Sequence, residues 1–187
     1  MLPKTQDILI NTFLQQNAQI NLSSFRTYEQ VYTKHILDTS EWFWLLDGLK
    51  FETAVDVWTW WWFPLLVLAD RYPVSWTGLD STAKKLAAVE YIAQKSWINI
   101  STYRWRLEDH KQRYDLVTAR AVWHAHTILP GLCRIAKKYI MLYKLYTPDE
   151  DDIIRNRPWI HKIVTHEYTL EQSKRILYLL YVWKNVE

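Results

Sequence analysis

Residues 53 to 64 read Thr53-Ala54-Val55-Asp56-Val57-Trp58-Thr59-Trp60-Trp61-Trp62-Phe63-Pro64. The first five residues have the apolar character of a buried strand that carries an acid near its end. A strand of this kind that leads through a tight loop into a helix is typical of the cofactor-binding turn of α/β proteins. That turn needs glycine, because its backbone adopts positive φ and approaches the ligand closely. If the four tryptophans stand in for glycine, the segment becomes a cofactor loop.

The composition agrees with this interpretation. The chain has 187 residues, of which 12 are Trp and 3 are Gly. An average glycine content of about 7% would give roughly 13 glycines, which is close to the two counts combined. Some bacterial lineages read the codon UGA as glycine, whereas another translation table reads it as tryptophan. The alternative is a chain that is genuinely rich in Trp. Our hypothesis is that native glycines are written as Trp58, Trp60, Trp61, Trp62, Trp97 and Trp105, with weaker local evidence at the other six.

Length, charge and cysteine content bound the class of protein. A chain of 187 residues is expected to form one domain, or one domain with a small appendage. We find no run of 18 uncharged apolar residues and no secretory signal pattern, so neither a membrane span nor export is expected. The single Cys133 excludes an internal disulfide and favours a reducing, cytoplasmic location. A net charge of +3 permits a nucleic-acid partner without requiring one.

Apolar periodicity predicts alternating strands and helices. Strands are predicted at 53–57, 74–79, 98–103, 114–119, 139–146, 160–168 and 175–184. Helices are predicted at 3–16, 27–40, 41–49, 64–71, 82–95, 124–137 and 149–156. Strand–helix alternation that ends in a strand pair predicts an α/β fold with a doubly wound, mostly parallel seven-stranded sheet, an antiparallel edge and N-terminal helices.

Two acids, Asp56 in the first predicted strand and Asp80 at the end of the second, accompany the proposed loop. Asp80 ends the second predicted strand, where it could accept hydrogen bonds from ribose hydroxyls; its alternative role is to flank a helix N-terminus. A glycine loop with an acidic strand end fits either a dinucleotide or S-adenosylmethionine. The spacing Gly-x-Gly-x-Gly differs from the dinucleotide fingerprint, and the closing strand pair favours S-adenosylmethionine.

Six motifs, in this order, resemble the bacterial small-subunit ribosomal RNA guanine-N7 methyltransferases, a family also called glucose-inhibited division protein B. They are Asn17–Leu22, Lys34–Ser40, Asp56–Pro64, Leu79–Lys85, Arg104–Asp109 and Thr118–Val122. The resemblance covers about residues 15–184. Two departures are not tryptophans: Leu65 stands where the family has Gly after Phe-Pro, and Leu145 stands where Gly follows Lys. They suggest a divergent member.

The resemblance implies a class I S-adenosylmethionine-dependent methyltransferase domain at 51–187, preceded by a helical extension at 1–50. It implies S-adenosyl-L-methionine as the cofactor. Leu107 and Glu108 would border the adenine, and Arg120 would face either the methionine carboxylate or the RNA. The full predicted set of cofactor contacts is Trp58, Trp60, Trp62, Phe63, Asp80, Leu107, Glu108 and Arg120.

The implied reaction moves a methyl group to N7 of a guanine in 16S ribosomal RNA. N7 carries a lone pair and no proton, so we predict no catalytic base and expect proximity and alignment to supply the rate. Phosphate contacts are predicted at Lys34, Arg104, Arg106 and Lys144, with Lys111, Arg113, Lys137 and Lys138 as further candidates.

The expected partner is 16S ribosomal RNA or the small ribosomal subunit, bound by a monomer without a membrane. We predict no metal, since His124 and His126 lack helical ligand spacing. His35, Asp38 and Cys133 are expected to be structural. Two alternatives stay open: a small-molecule methyltransferase of the same fold, and a non-catalytic RNA-binding relic if the loop tryptophans are genuine.

Overall fold

The computed structural model describes residues 3–21, 23–59, 63–120 and 124–182. The seven strands are β1 (Thr53–Val57), β2 (Ser75–Asp80), β3 (Ser101–Arg104), β4 (Tyr114–Arg120), β5 (Ala136–Leu145), β6 (Ile160–Leu170) and β7 (Ser173–Val182). They form one sheet in the order β3-β2-β1-β4-β5-β7-β6. The first five strands are parallel, and β7 runs antiparallel to both β5 and β6. The predicted seven-stranded, doubly wound fold is therefore confirmed.

Eight α-helices are described: α1 (Pro3–Ile20), α2 (Tyr28–Val31), α3 (Asp38–Ser40), α4 (Phe43–Leu46), α5 (Leu65–Arg71), α6 (Ala83–Lys95), α7 (Ala125–Ile135) and α8 (Pro148–Arg155). A π-helical turn joins α2 to α3 at Tyr32–Leu37, and a 3₁₀ turn spans Leu107–Asp109. None of these helices is long and apolar enough to cross a membrane. The predicted strand 98–103 is shorter than expected, and α7 ends two residues before the predicted 137 because β5 begins at once.

Burial explains why the central strands read as continuous apolar runs. Every residue of β4 from Tyr114 to Ala119 is buried, and four of the five residues of β1 are buried. Strands covered by helices on both faces cannot alternate apolar and polar residues. One core cluster joins α1 residues such as Leu9 and Phe13 to Leu177 of the sheet. The predicted division at residue 50 stays a prediction, and both parts contribute to this cluster.

Asp38 joins the N-terminal helices to the sheet. Its side chain has no exposed surface, and it lies 2.7 Å from the Arg120 guanidinium of β4 and 2.6 Å from that of Arg175 in β7. The Tyr168 hydroxyl of β6 donates a further hydrogen bond of 2.7 Å. A buried carboxylate is tolerated only when it is paired and hydrogen-bonded in this way. One side chain therefore fastens α3 to three strands.

Trp97 occupies the position after a helix at which glycine is the usual residue. The N–H of Ile98 bonds to the Ala93 carbonyl at 2.9 Å, and the N–H of Trp97 bonds to that of Gln94 at 3.3 Å. This pair of bonds is the Schellman motif, which requires a left-handed residue after the helix. Trp97 has φ 55° and its side chain is 73% exposed. Its indole gains little packing for a strained backbone, as expected if the native residue is glycine.

We expect Trp97→Gly to stabilise the protein by about 1 kcal/mol, because a side chain in the left-handed region costs about that much. The matched control is Trp76→Gly in β2. Trp76 is 1% exposed and its Nε1 donates to the Tyr72 carbonyl at 2.9 Å, so its removal should cost at least about 3 kcal/mol. Urea unfolding measures both. A loss of stability in Trp97→Gly would contradict the assignment.

We expect Asp38→Ala to destabilise the protein by about 3–5 kcal/mol, since it leaves two largely buried guanidinium groups without their anion. The control is Glu167→Ala, which breaks an ion pair with Lys174 whose side chains are 46% and 53% exposed and should cost less than about 1 kcal/mol. Equal effects of the two substitutions in chemical unfolding would refute a central role for Asp38.

Candidate active site

The carboxyl ends of the parallel strands define the candidate site. β1 lies between β2 and β4, and the strand order reverses direction there. In open α/β sheets, ligands bind in the crevice outside the strand ends at this reversal. The predicted loop from Trp58 to Phe63 leaves β1 at this point. Trp60, Trp61 and Trp62 lie outside the described residues, as do Trp123 and Trp183.

Trp58 begins the loop with a left-handed backbone. Its φ is 57°, and its N–H donates to the Leu79 carbonyl at the end of β2, at 2.9 Å. The indole packs against the second core cluster, which includes Val57 and Leu79. Glycine adopts this conformation without strain, whereas tryptophan does not. At position 58 the backbone therefore has the conformation that glycine favours, as the sequence predicted for this position.

Gly78 allows β2 to lie close to this loop. A Cβ atom on Gly78 would lie 2.9 Å from a methyl group of Leu65 and 3.2 Å from one of Thr59. Contacts that short would require the Leu65 and Thr59 side chains to move. Leu65, which replaces the family's glycine, is fully buried. The departure at 65 is therefore accommodated by a glycine on the neighbouring strand.

Two buried acids flank the loop. Asp80 is 4% exposed, and its Oδ1 accepts from the Thr82 N–H at 2.8 Å. Asp56 is 2% exposed, and the Thr118 hydroxyl donates to it at 2.6 Å. Burial raises the pKa of Asp56 to about 7, against the lowering effect of the hydrogen bond from the Thr118 hydroxyl. The Asp56 carboxyl can thus change its charge near neutral pH, directly beneath the loop.

Phe63 and His35 turn away from the open edge and pack together. Phe63 is 1% exposed, and its ring stacks on the His35 imidazole with centroids 4.4 Å apart and planes 7° apart. The edges of Phe13 and Phe25 meet the same imidazole. Burial, followed by the charge of Arg120, lowers the pKa of His35 well below its usual value. His35 is thus a neutral ring that anchors the loop, and only the backbone of Phe63 is left to meet a cofactor.

Arg120 leaves β4 toward the N-terminal helices. Besides its ion pair with Asp38, it donates to the Lys34 carbonyl at 2.8 Å and lies 4.8 Å from the centre of the Tyr143 ring. These contacts hold the guanidinium in one orientation. The sequence left open whether Arg120 faces the cofactor or RNA. In the structure its guanidinium is directed at Asp38.

The predicted adenine contacts divide into one buried and one exposed side chain. Leu107 is 4% exposed and packs so closely on Gly131 of α7 that a Cβ there would lie 2.7 Å from it. Its carbonyl accepts from Arg134 at 2.5 Å. Glu108 is exposed beside it. The Leu107 side chain therefore belongs to the core, and Glu108 remains available to a ligand.

The four predicted phosphate contacts differ in accessibility. Arg104 and Arg106 are exposed near the carboxyl end of β3. Lys34 is partly exposed and pairs with Glu171. Lys144 is only 6% exposed and pairs with Glu150, so its ammonium does not face solvent. Of the four predicted phosphate contacts, Arg104 and Arg106 are therefore more exposed to solvent than Lys34 and Lys144.

His124 and His126 meet a third group that their spacing did not reveal. One ligand atom of each lies within 4.8 Å of the others in a cluster with Glu150. Glu150 also accepts from the Ala125 N–H at 2.9 Å and pairs with Lys144, so it already holds α7 and α8 to β5. The predicted absence of a metal stays a prediction.

Several partners in this region lie too far away in the chain for motif spacing to reveal them. No motif pointed to Tyr168 or Arg175, which bond to Asp38 from positions 130 and 137 residues away. Thr118, which bonds to Asp56, lies within the Thr118–Val122 motif. Its neighbours Ala121 and Val122 lie outside the described residues.

The carboxyl edge fits an adenosyl cofactor in its backbone and its acids. A left-handed residue at 58 and an acid at the end of β2 are two features typical of nucleotide-binding strand ends. The Trp58 indole does not add to that fit, since it fills space beside the loop where a glycine would leave room.

We expect Asp56 to make stability fall as pH rises. In the folded protein its pKa is raised from 3.8 to about 7. Its contribution to the free energy of unfolding is therefore fully present below pH 3.8 and is lost as pH rises through about 7. Relative to Asp56→Asn, the protein should lose up to about 4 kcal/mol across this range. Urea unfolding at a series of pH values measures the difference.

Asp115→Asn is the control of opposite sign. Burial would raise the pKa of Asp115, but hydrogen bonds from the Glu52 backbone and Lys138 leave it lowered. The contribution of Asp115 to the free energy of unfolding should therefore be lost as the pH falls below the usual pKa of an aspartate. A parallel pH dependence of Asp56→Asn and the unaltered protein would show that Asp56 stays ionised.

Comparison with known proteins assigns the chain to a family. Residues 4–179 match the family model GidB, described as rRNA small subunit methyltransferase G. A Pseudothermotoga lettingae protein named ribosomal RNA small subunit methyltransferase G is 35% identical over 175 residues, which is 86% of this chain and 75% of that protein. A Listeria monocytogenes protein of the same name is 31% identical over 125 residues, or 63% of this chain. That alignment spans 52% of the Listeria protein, about half of its length.

A solved structure agrees on the architecture. The O-methyltransferase from Bacillus cereus in complex with SAH superposes with a TM-score of 0.71 at 10% identity, covering 98% of this chain and 93% of that one. At this identity the likeness supports the fold, which is that of the class I S-adenosylmethionine-dependent methyltransferases. With a family model that matches nearly the whole chain, the conclusion is that this chain belongs to the GidB family of small-subunit ribosomal RNA methyltransferases.

Proposed function

We propose that the native form of this chain transfers a methyl group from S-adenosyl-L-methionine to N7 of a guanine in 16S ribosomal RNA. The observation that carries the proposal is the left-handed backbone at position 58, between Asp56 and Asp80 at the strand reversal. Family membership supports the substrate class. The proposed partner is 16S ribosomal RNA or the small subunit, bound by a cytoplasmic monomer.

Each group near the site has a role in this proposal. Asp80 would accept hydrogen bonds from the ribose hydroxyls of the cofactor, and Glu108 would lie beside its adenine. The backbone N–H groups of the loop would hold the methionine end. Arg104 and Arg106 would meet RNA phosphates beside this edge. The bound cofactor supplies the electrophilic methyl group, and the protein supplies its position.

The buried state of the nearby imidazole is compatible with an N7 acceptor. His35 is buried and stacked on Phe63, so it is poorly placed to remove a proton from a substrate. Guanine N7 has no proton to remove, and its lone pair can attack the methyl group in line. Alignment of the two reactants then supplies the rate enhancement. An acceptor that must lose a proton, such as a hydroxyl, would need a base at this edge.

We expect glycine at positions 58, 60, 61, 62, 97 and 105 to confer both cofactor binding and methyl transfer. The chain with tryptophan at these positions should show neither. Calorimetry with S-adenosyl-L-methionine measures the first. Mass spectrometry of 16S ribosomal RNA from small subunits that lack the modification measures the second, through N7-methylguanosine.

The glycine-restored protein allows a sharper test of Asp80. Asp80→Asn should weaken cofactor binding about tenfold or more, because hydrogen bonds to a charged acceptor are worth about 1.5–3 kcal/mol. The exposed Asp47 provides the control, and Asp47→Asn should leave affinity unchanged. Tight binding by the chain as printed would overturn the glycine assignment.

The small-molecule alternative is distinguished by salt. Binding of 16S ribosomal RNA should weaken steeply as salt increases, because each neutralised phosphate releases counterions. A protein that binds cofactor but shows no salt-dependent affinity for this RNA would act on a small molecule instead.

A further inference from the structure

A cavity of about 510 Å³ lies at the edge of the sheet opposite to the candidate active site. It is lined by Lys111, Arg113, Pro130, Cys133, Arg134 and Trp159. Lys111 and Arg113 precede β4, and Trp159 precedes β6. β4 and β6 run in the same direction, because β6 and β5 both run antiparallel to β7 and β5 is parallel to β4. The cavity therefore lies at the amino ends of these strands. For β4 this is about 20 Å from the carboxyl end, at about 3.3 Å per residue.

The lining combines positive charge with an aromatic ring. Three cationic side chains surround it, and none of the described residues that line it is acidic. The half-buried indole of Trp159 and the ring of Pro130 supply apolar surface. Bases stack on aromatic rings, while lysine and arginine bind phosphate. A nucleotide has both parts, and a cavity of this size is typical of small-ligand sites.

Hydrogen bonds to the backbone fix the two arginines in place. Arg134 donates to the carbonyls of Leu107 and His110 at 2.5 and 3.0 Å, and Arg113 donates to that of Ala136 at 3.1 Å. A guanidinium carries five N–H donors, so these bonds leave others for a ligand. Charges that are already held in position lose little entropy when a phosphate binds.

The Trp159 indole is also held in place, by a contact with a cation. The Arg157 guanidinium lies 5.7 Å from the centre of the Trp159 ring, a distance at which the cation and the ring attract each other. Trp159 does not have the left-handed backbone of Trp58 and Trp97. Its side chain thus has packing partners on one face and a place in the wall of the cavity.

We propose that this cavity binds one nucleotide of single-stranded RNA, with its phosphate at Lys111, Arg113 and Arg134 and its base on Trp159. The inference rests on the proposed function, because it makes the ligand a second segment of the RNA that is methylated at the opposite edge. The distance between the two edges excludes the target guanine as the occupant. The RNA would instead extend along the face of the sheet that α7 covers. It would be bound at the candidate active site at one edge and at the cavity at the other.

Charge reversal at the cavity should weaken RNA binding. We expect Lys111→Glu to reduce the affinity for a fluorescein-labelled single-stranded RNA oligonucleotide several-fold, and to lower its salt slope by about 0.7. Lys4→Glu makes the same change of charge at an exposed position of α1 and should leave both values near those of the unaltered protein. Fluorescence anisotropy across a salt series measures them. Equal affinities and slopes for the two variants would overturn the proposal.

Substitution of the indole tests stacking separately from charge. Trp159→Ala should weaken oligonucleotide binding about tenfold, whereas Trp159→Phe should retain most of it. Because Trp159→Ala could also unfold, the unaltered protein provides a second measurement. Cross-linking to RNA that contains 4-thiouridine should modify peptides with residues 111–113 or 159. Cross-links confined to peptides of the carboxyl edge would reject the site.

The same samples separate this inference from the proposed function. If methyl transfer is normal in the glycine-restored protein and Lys111→Glu changes neither affinity nor cross-linking, the cavity proposal fails alone. If RNA binds at the cavity but N7-methylguanosine never forms, the proposed function fails alone. If a polyglutamate peptide competes with RNA as well as unlabelled RNA does, the cavity selects negative charge and not nucleotides, and the proposal fails.

Discussion

The pairing of the buried Asp38 carboxylate with two arginines is the interaction on which the candidate site depends. An acid without exposed surface is costly to bury, and Arg120 and Arg175 offset that cost. Because Asp38 belongs to α3 and its partners to β4 and β7, the pairing brings the N-terminal helices against the carboxyl edge.

That arrangement determines what the candidate loop can present to a ligand. His35, one turn before Asp38, is carried against the loop and stacks on Phe63. Arg120 is held by Asp38, and Leu107 is buried under α7. Three side chains that the family resemblance placed around the cofactor thus belong to the packing beneath it. Among the described residues, the predicted contacts that remain for a ligand are the backbone at Trp58 and Phe63 and the acids Asp80 and Glu108, which is why the residue at position 58 matters so much.

The sequence was sufficient for the fold but not for the orientation of side chains. Strand positions could be predicted because β1 and β4 are buried on both faces and therefore read as apolar runs. The boundary between α7 and β5 could not, because Ile135 and Ala136 are both buried and no glycine or proline separates the two elements. The partners of Asp38 could not be predicted either, since pairing across 137 residues leaves no local spacing to recognise. Lys144 shows the same limit: its position at the carboxyl end of β5 suggested a surface cation, and Glu150 of α8 holds it in the interior.

Four of the seven tryptophans among the described residues fall into two physical classes. Trp105, which the sequence predicted to replace a glycine, falls in neither, because its backbone is not left-handed and it is 51% exposed. At Trp58 and Trp97 the backbone is left-handed, and at 97 the helix-ending hydrogen bonds require that conformation whatever residue is present. At these two positions the backbone conformation favours glycine, and tryptophan adopts it only with strain. At Trp42 and Trp76 the indole is buried, stacked on Tyr143 in the first case and hydrogen-bonded to a carbonyl in the second. There the fold uses the side chain. A misread glycine codon among genuine tryptophans would produce the difference between these four positions, and Trp58 and Trp97 are the two described tryptophans whose backbone supports it.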